Sequence, residues 1–105
     1  MSQAVVHGGI AYLAGIVADD LTPSVTEQTR QILGKIDKLL AAAGTDKSKI
    51  LKANIWLADI GRFAEMNAAW DAWVDKANPP ARATVEAKLA TPAYLVEIMV
   101  QAAID

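Results

Sequence analysis

One arginine follows a pair of prolines and is the first candidate for chemistry. In the segment Pro79-Pro80-Ala81-Arg82, the prolines stiffen the chain just before a predicted strand. A guanidinium held at such a strand entrance can offer two N–H donors to a carboxylate, a charge-assisted pair worth about 1.5–3 kcal/mol. The alternative is a solvated or salt-bridged strand arginine, and spacing alone favours that alternative. Arg82 is therefore a candidate carboxylate-binding residue.

A second candidate is Glu97, which lies inside an apolar run at residues 94–100. Strand alternation places it on the same face as Leu95 and Met99, so we expect its carboxyl group to be partly desolvated. Partial desolvation would make this group usable as a general base or acid. The alternatives are a gatekeeper on an edge strand and a salt-bridge partner.

Residue counts exclude several other kinds of site. His7 is the only histidine, which leaves no Ser-His-Asp arrangement and no histidine-based metal cluster. The chain has no cysteine, so it can form neither a disulfide nor a thiolate metal site. No glycine-rich fingerprint joins a strand to a helix, so nothing indicates a bound dinucleotide or nucleoside triphosphate. The residues therefore predict no histidine- or cysteine-based metal site and no bound nucleotide.

Charge and composition also limit the partners. The chain has 10 basic and 12 acidic residues, a net charge of -2, and no dense cluster of lysines and arginines. Nucleic acid is therefore not an expected partner. The N-terminal segment has no basic region and is interrupted at His7-Gly8-Gly9, which argues against a signal peptide. We expect a cytoplasmic protein that does not contact membranes.

Hydrophobic periodicity predicts seven elements in the order ββαβαββ. A glycine pair joins two strands as a hairpin, a capping-box pattern opens the first helix, and two prolines follow the second. The predicted bounds are strands 3–7 and 10–15, a helix from Ser24 to Gly44, a strand 50–58, a helix from about 61 to 77, and strands 81–88 and 94–102.

These elements predict one domain, residues 1–105, of the α/β (α+β) class. Right-handed crossovers lay both helices on one face of a mixed sheet, as a two-layer sandwich. In the third strand, alternation places Leu51 on the same face as Ala53, Ile55 and Leu57. The sheet face away from the helices needs another cover, because 53% of the residues are hydrophobic. Self-association is the simplest cover.

Other notable residues are expected to be structural. Asn67 lies in the apolar stripe of the second helix between Phe63 and Trp70, where we expect it to hydrogen-bond the backbone of a neighbouring loop. The three tryptophans are expected to fill the core or an interface. Tyr12 either lines a pocket or packs.

A series of short motifs covers nearly the whole chain, from about Gly8 to Ala102. The motifs are Tyr12-Leu-Ala-Gly15, Glu27-Gln-Thr29, Ile36-Asp37, Ala43-Gly44, Ile55-Trp56-Leu57-Ala58-Asp59, Phe63-Ala64-Glu65-Met66-Asn67 with Trp70, Pro80-Ala81-Arg82, and Val96-Glu97-Ile98. Each motif alone is weak. Their order and spacing together resemble the Rid family, also called the YjgF family.

The resemblance implies a chorismate-mutase-like fold and a homotrimer whose sheets form a central barrel, with ligand sites in clefts between subunits. It also implies hydrolysis of reactive 2-imino acids to 2-oxo acids and ammonia without a cofactor. Arg82 matches the family's carboxylate-binding arginine, and Glu97 matches the glutamate that positions or activates the attacking water. Gly15 matches the glycine that lets loop backbone approach the ligand. The resemblance thus points to an imine deaminase.

Two positions depart from the family pattern. Thr84 stands where the family often has cysteine, and its hydroxyl can still donate a hydrogen bond to the substrate. The family's ligand-facing tyrosine has no counterpart in the short N-terminus, so Tyr12 is a candidate substitute. A second hypothesis is a non-catalytic trimeric protein that uses Arg82 to bind a small carboxylate metabolite.

Overall fold

Two helices pack on one face of a five-stranded mixed sheet in the computed structural model, which describes all 105 residues. Short 3₁₀ turns at Lys47–Lys49 and Ile60–Arg62 precede the third strand and the second helix. The predicted order ββαβαββ and the α+β class are confirmed. The elements are β1 (Ala4–His7), β2 (Ile10–Leu13), α1 (Val25–Ala42), β3 (Ile50–Leu57), α2 (Phe63–Trp73), β4 (Ala81–Glu86) and β5 (Val96–Ala103).

The strand order across the sheet is β1-β2-β5-β3-β4, so β1 and β4 form the edges. β4 runs parallel to β3, and the other neighbouring strands are antiparallel. On each central strand, alternate side chains point toward α1 and α2 and form the core. The members from β3 and β5 are Ile50, Ala53, Ile55, Leu57, Val96, Ile98, Val100 and Ala102.

The other side of the sheet, which we call the open face, carries no helix. Its side chains are exposed or half-buried, and several are large and apolar. The strand register places these residues on the open face: Val5, Tyr12, Gln101, Lys52, Met99, Asn54, Glu97, Trp56 and Val85.

Local signals set the ends of the hairpin and of α1. Gly8 and Gly9 have φ angles of 59° and 78°, which a two-residue hairpin turn with right-handed strand twist requires. The Ser24 hydroxyl accepts from the N–H of Glu27 at 3.1 Å and caps α1, as predicted. Gly44, with a φ of 84°, follows the last turn. Neither helix is long and apolar enough to cross a membrane.

The face predicted for Leu51 and the end predicted for the second helix are wrong, and several strand ends differ from the predicted bounds by one or two residues. Leu51 is 50% exposed because the β3–β5 register shifts between Ile50 and Lys52, so a bulge turns Leu51 away from the core. The second helix ends at Trp73 rather than near residue 77. Val74 is extended, and the Asp75 carboxylate accepts the N–H of Ala77 at 2.9 Å in the turn that follows.

A buried glutamine on α1 fastens two loops. Gln28 is fully buried, and its Nε2 donates to the carbonyl oxygens of Thr22 at 2.8 Å and Ala93 at 3.1 Å. Its Oε1 accepts the N–H of Leu95 at 3.1 Å. All the polar atoms of this side chain are therefore used to hold the segment before β5 against the start of α1.

We predict that Gln28→Leu lowers the free energy of unfolding by about 2–4 kcal/mol, because three backbone groups lose their partner in a buried place. Gln31→Leu is the matched control on the same helix, since Gln31 bonds only to the exposed backbone of Asp20. It should cost less than about 1 kcal/mol. Urea denaturation of both variants measures the difference, and equal losses would contradict the assignment.

Candidate functional site

Arg82 is the second residue of β4, at an edge of the sheet and directly after the two prolines. Its partner in the parallel pairing is Ala53, a core residue of β3, so Arg82 lies on the helix-covered side. The residue is half-buried and its side chain reaches α2. The predicted place at a strand entrance is confirmed.

Three side chains of α2 contact the Arg82 guanidinium. Its Nη1 donates to Asn67 Oδ1 at 2.8 Å. Its central carbon lies 5.5 Å from the ring centre of Phe63 and 5.3 Å from that of Trp70, within cation–π range. No carboxylate of the chain pairs with Arg82. A half-buried cation without an anionic partner is a place where an anion would be stabilised.

Asn67 has a role that the sequence interpretation missed. The expected bond to a loop backbone is wrong, because Oδ1 accepts from Arg82 and Nδ2 donates to Asp71 Oδ2 at 3.2 Å. The available signal was helical spacing: Phe63, Asn67 and Trp70 stand at i, i+4 and i+7 and so share one face of α2. A polar residue in such a stripe needs a polar partner on the element packed against it.

Polar contacts fix the beginning of α2. Asp59 accepts the N–H of Gly61 at 2.9 Å, and Arg62 donates from two nitrogens to Glu65, with Nε to Oε2 at 2.9 Å. Hydrogen bonding to Arg62 holds the pKa of Glu65 below its ordinary value. The resulting stabilisation is present above the ordinary glutamate pKa and is lost as the pH falls through the lowered pKa. Because both side chains are exposed, it is small.

Glu97 lies on the open face, opposite Trp56 of β3. It is half-buried and takes part in no ion pair within the chain. Its carboxylate lies over Gly15: a Cβ atom built on that glycine would be only 2.2 Å from Oε2. The structure therefore brings Gly15 and Glu97 together, and the absence of a side chain at Gly15 makes room for the carboxylate.

Arg82 and Glu97 lie on opposite faces of the sheet. The strand between them, β3, pairs Ala53 with Arg82 and Trp56 with Glu97. These two β3 positions are three residues apart, and an odd separation along a strand changes the face. A small ligand cannot contact both side chains of the same chain.

The two remaining candidates are also separated. Thr84 shares the face of Arg82, and its hydroxyl oxygen is shielded from solvent without a hydrogen-bond partner. Tyr12 is 42% exposed on the open face, where it pairs with Gln101. Gln101 is four residues from Glu97 along β5, which separates Tyr12 from Glu97 by roughly 13 Å.

Two clefts of about 480 Å³ and 490 Å³ lie elsewhere on the molecule. The first is lined mainly by the segment that follows β4, together with Ala58. The second lies between Leu51 and the two prolines that precede β4. Neither is lined by a predicted site residue.

Known proteins are similar to this chain in sequence and fold. A family model described as Endoribonuclease L-PSP matches residues 1–104. A RutC family protein of Haemophilus influenzae is 50% identical over 101 residues, covering 95% of this chain and 87% of the relative. The RutC family protein YoaB of Escherichia coli is 46% identical over 103 residues, covering 98% and 90%.

Solved structures of the same family are also similar to this chain. The crystal structure of a member of the YjgF protein family from Neisseria meningitidis matches with a TM-score of 0.97 and 45% identity, covering 100% of this chain and 87% of that one. A protein of the conserved Rid protein family from Yersinia pestis matches with a TM-score of 0.93 and 34% identity, covering 99% and 87%.

We predict that Gly15→Ala displaces the Glu97 carboxylate by about 1 Å or more, because the 2.2 Å approach is far inside van der Waals contact. The end of a flexible side chain can move away, so the melting temperature should change little. Gly34→Ala in α1 is the control, since its Cβ meets open space, and it should be slightly stabilising. Crystal structures of both variants measure the displacement, and an unmoved Glu97 in Gly15→Ala would contradict the contact.

Proposed function

The chain belongs to the Rid (YjgF) family, and from that premise we propose that it hydrolyses 2-imino acids to 2-oxo acids and ammonia as a cofactor-free homotrimer. The observation that carries the proposal is Arg82, a half-buried guanidinium that contacts only neutral side chains. Such a group is suited to bind the one carboxylate that every 2-imino acid has.

Both faces of the sheet enter the proposed site, which requires two protomers. Arg82 of one protomer lies at the β4 edge on the helix side, and Glu97 lies on the open face. The open face also exposes apolar side chains such as Val5 and Val85. A neighbouring protomer that packs on this face would bury them and could place its Arg82 edge beside Glu97.

The reaction needs few groups. The carbon of a protonated imine is already electrophilic, so the enzyme must fix the carboxylate, hold one water and move protons. Arg82 binds the carboxylate. Glu97 accepts a proton from the attacking water as the C–O bond forms, and returns it to the nitrogen of the resulting carbinolamine. It then accepts the hydroxyl proton as the C=O bond forms and the C–N bond breaks, and releases to solvent the one proton that the protonated imine brought in. One imino acid and one water give one 2-oxo acid and ammonia.

The other candidates take supporting roles in this proposal. Gly15 lets the Glu97 carboxylate and the substrate share a small space. Thr84 lies on the Arg82 side, where its shielded hydroxyl has no partner within the chain and donates to a substrate only if neighbouring side chains move aside. Tyr12 belongs to the part of the open face that a second protomer covers.

The family model's description names an endoribonuclease, but this chain has little that favours RNA cleavage. Its net charge is -2, and its only histidine, His7, is exposed at the end of β1. RNA binding ordinarily requires a basic surface to neutralise phosphates. The charge distribution therefore does not favour RNA as the substrate.

We predict that the wild-type protein accelerates the decay of 2-imino acids generated in situ by an amino-acid oxidase. Arg82→Ala should reduce kcat/KM at least about tenfold, because the carboxylate loses a charge-assisted pair. Arg30→Ala is the matched control, since Arg30 is an exposed arginine beside Glu27, and it should behave like the wild type.

Two outcomes would contradict imine hydrolysis. Decay no faster than in buffer, with binding of a 2-oxo acid retained, would favour the non-catalytic carboxylate-binding protein. Equal activity in Arg82→Ala and the wild type would remove Arg82 from the site. Glu97→Gln then separates positioning from proton transfer, because the amide keeps the shape and loses the basicity.

A mixing experiment tests whether two protomers share the site. Arg82→Ala and Glu97→Gln trimers are each expected to be nearly inactive. Random exchange of their subunits should restore about one quarter of the wild-type activity, because one in four neighbouring pairs then combines an intact Arg82 with an intact Glu97. Native mass spectrometry verifies the exchange. No recovery in mixed trimers would place both groups in one chain or outside the site.

A further inference from the structure

The three arginines of the chain are held in two different ways. Arg30 pairs with Glu27 and Arg62 with Glu65, each across three residues of sequence. Arg82 instead contacts an amide and two aromatic rings, and no carboxylate. Only this arginine is positioned without being neutralised.

We propose that Phe63, Asn67 and Trp70 form a neutral clamp that positions the Arg82 guanidinium and leaves its charge available to the substrate carboxylate. The inference rests on the proposed function, since it assigns positioning residues to the same site. These residues act through Arg82 rather than on the reacting atoms.

The contacts leave the binding edge of the guanidinium free. Asn67 takes one N–H of Nη1, at 2.8 Å, while Nε and Nη2 donate to no group of the chain. Those two nitrogens carry three N–H groups, enough for a bidentate pair with a carboxylate. The rings of Phe63 and Trp70 attract the cation through their π electrons without offering a competing anion.

Asp71 supports the clamp indirectly, through its hydrogen bond with Asn67. Its Oδ2 accepts from Asn67 Nδ2 at 3.2 Å, which fixes the amide with its oxygen toward Arg82. The amide therefore stands between the acid and the guanidinium. In this arrangement Asp71 orients the clamp but does not form an ion pair with the arginine.

Asn67→Asp tests the inference, because it keeps the shape and replaces a neutral acceptor with an anion beside Nη1. It also removes the donor to Asp71, so the double variant Asn67→Asp with Asp71→Asn, which restores a donor at position 71, should bind as weakly as the single variant. Binding of 2-oxobutanoate, measured by calorimetry, should weaken at least about tenfold as the new carboxylate competes for the cation. For an imino acid substrate, KM should rise while kcat stays within about threefold, because Glu97 and its water are untouched. Asn78→Asp adds the same charge in an exposed loop and should bind like the wild type.

The aromatic part of the clamp is tested at Phe63, which is exposed enough to replace without emptying the core. Phe63→Leu should weaken 2-oxobutanoate binding about two- to fivefold, and Phe63→Tyr, which keeps a ring, should restore it. Unfolding curves close to that of the wild type identify folded variants. A ring-independent effect, with both variants equally weakened, would overturn the aromatic role.

Binding and turnover separate this inference from the proposed function. If Asn67→Asp binds 2-oxobutanoate as tightly as the wild type, the clamp is wrong even where imines are hydrolysed. If the wild type binds 2-oxobutanoate without turnover and Asn67→Asp binds weakly, imine hydrolysis is wrong and the clamp stands.

Discussion

The separation of Arg82 from Glu97 by the thickness of one sheet is the constraint on which the rest of the proposed site depends. Side chains alternate along a strand, and the register through β3 leaves these two groups on opposite faces. No rotamer change can bring them together within one chain. A site that uses both must be built where the β4 edge of one protomer meets the open face of another, so the proposed function links catalysis to assembly.

The two groups are also held by different contacts, which suit their proposed tasks. Arg82 is attached to a well-packed helix through Asn67 and Trp70, the latter only 4% exposed. Glu97 has no ion-pair partner within the chain and lies over a glycine, which offers no side chain to hold its carboxylate. A rigid arginine favours carboxylate binding, because fewer side-chain conformations are lost when the ligand binds. In the proposed reaction the Glu97 carboxylate must reach two atoms in turn, the oxygen of the attacking water and the nitrogen of the substrate.

The sequence predicts most of the fold because each strand and helix has its own periodic pattern. It predicts the strand entrance at Arg82 because two prolines mark it. It does not predict the bulge at Leu51, which depends on the pairing between β3 and β5. The bond from Arg82 to Asn67 and the division of Arg82 and Glu97 between two faces were missed for the same reason. All three features depend on which residues of different elements lie opposite one another. Residues far apart in the sequence determine that pairing, so a local pattern does not reveal it.

A chain with a net negative charge can still bind a small anion if one of its cations is held in position without an acidic partner. Lysines offer point charges on flexible stems, and Lys35 is already paired with Asp19. Arg82 differs in having a planar group held at three contacts with no carboxylate among them. Because the position of the guanidinium is fixed before binding, an arriving carboxylate needs to order little besides itself. The proposed selectivity for one carboxylate thus rests on local preorganisation rather than on the net charge of the molecule.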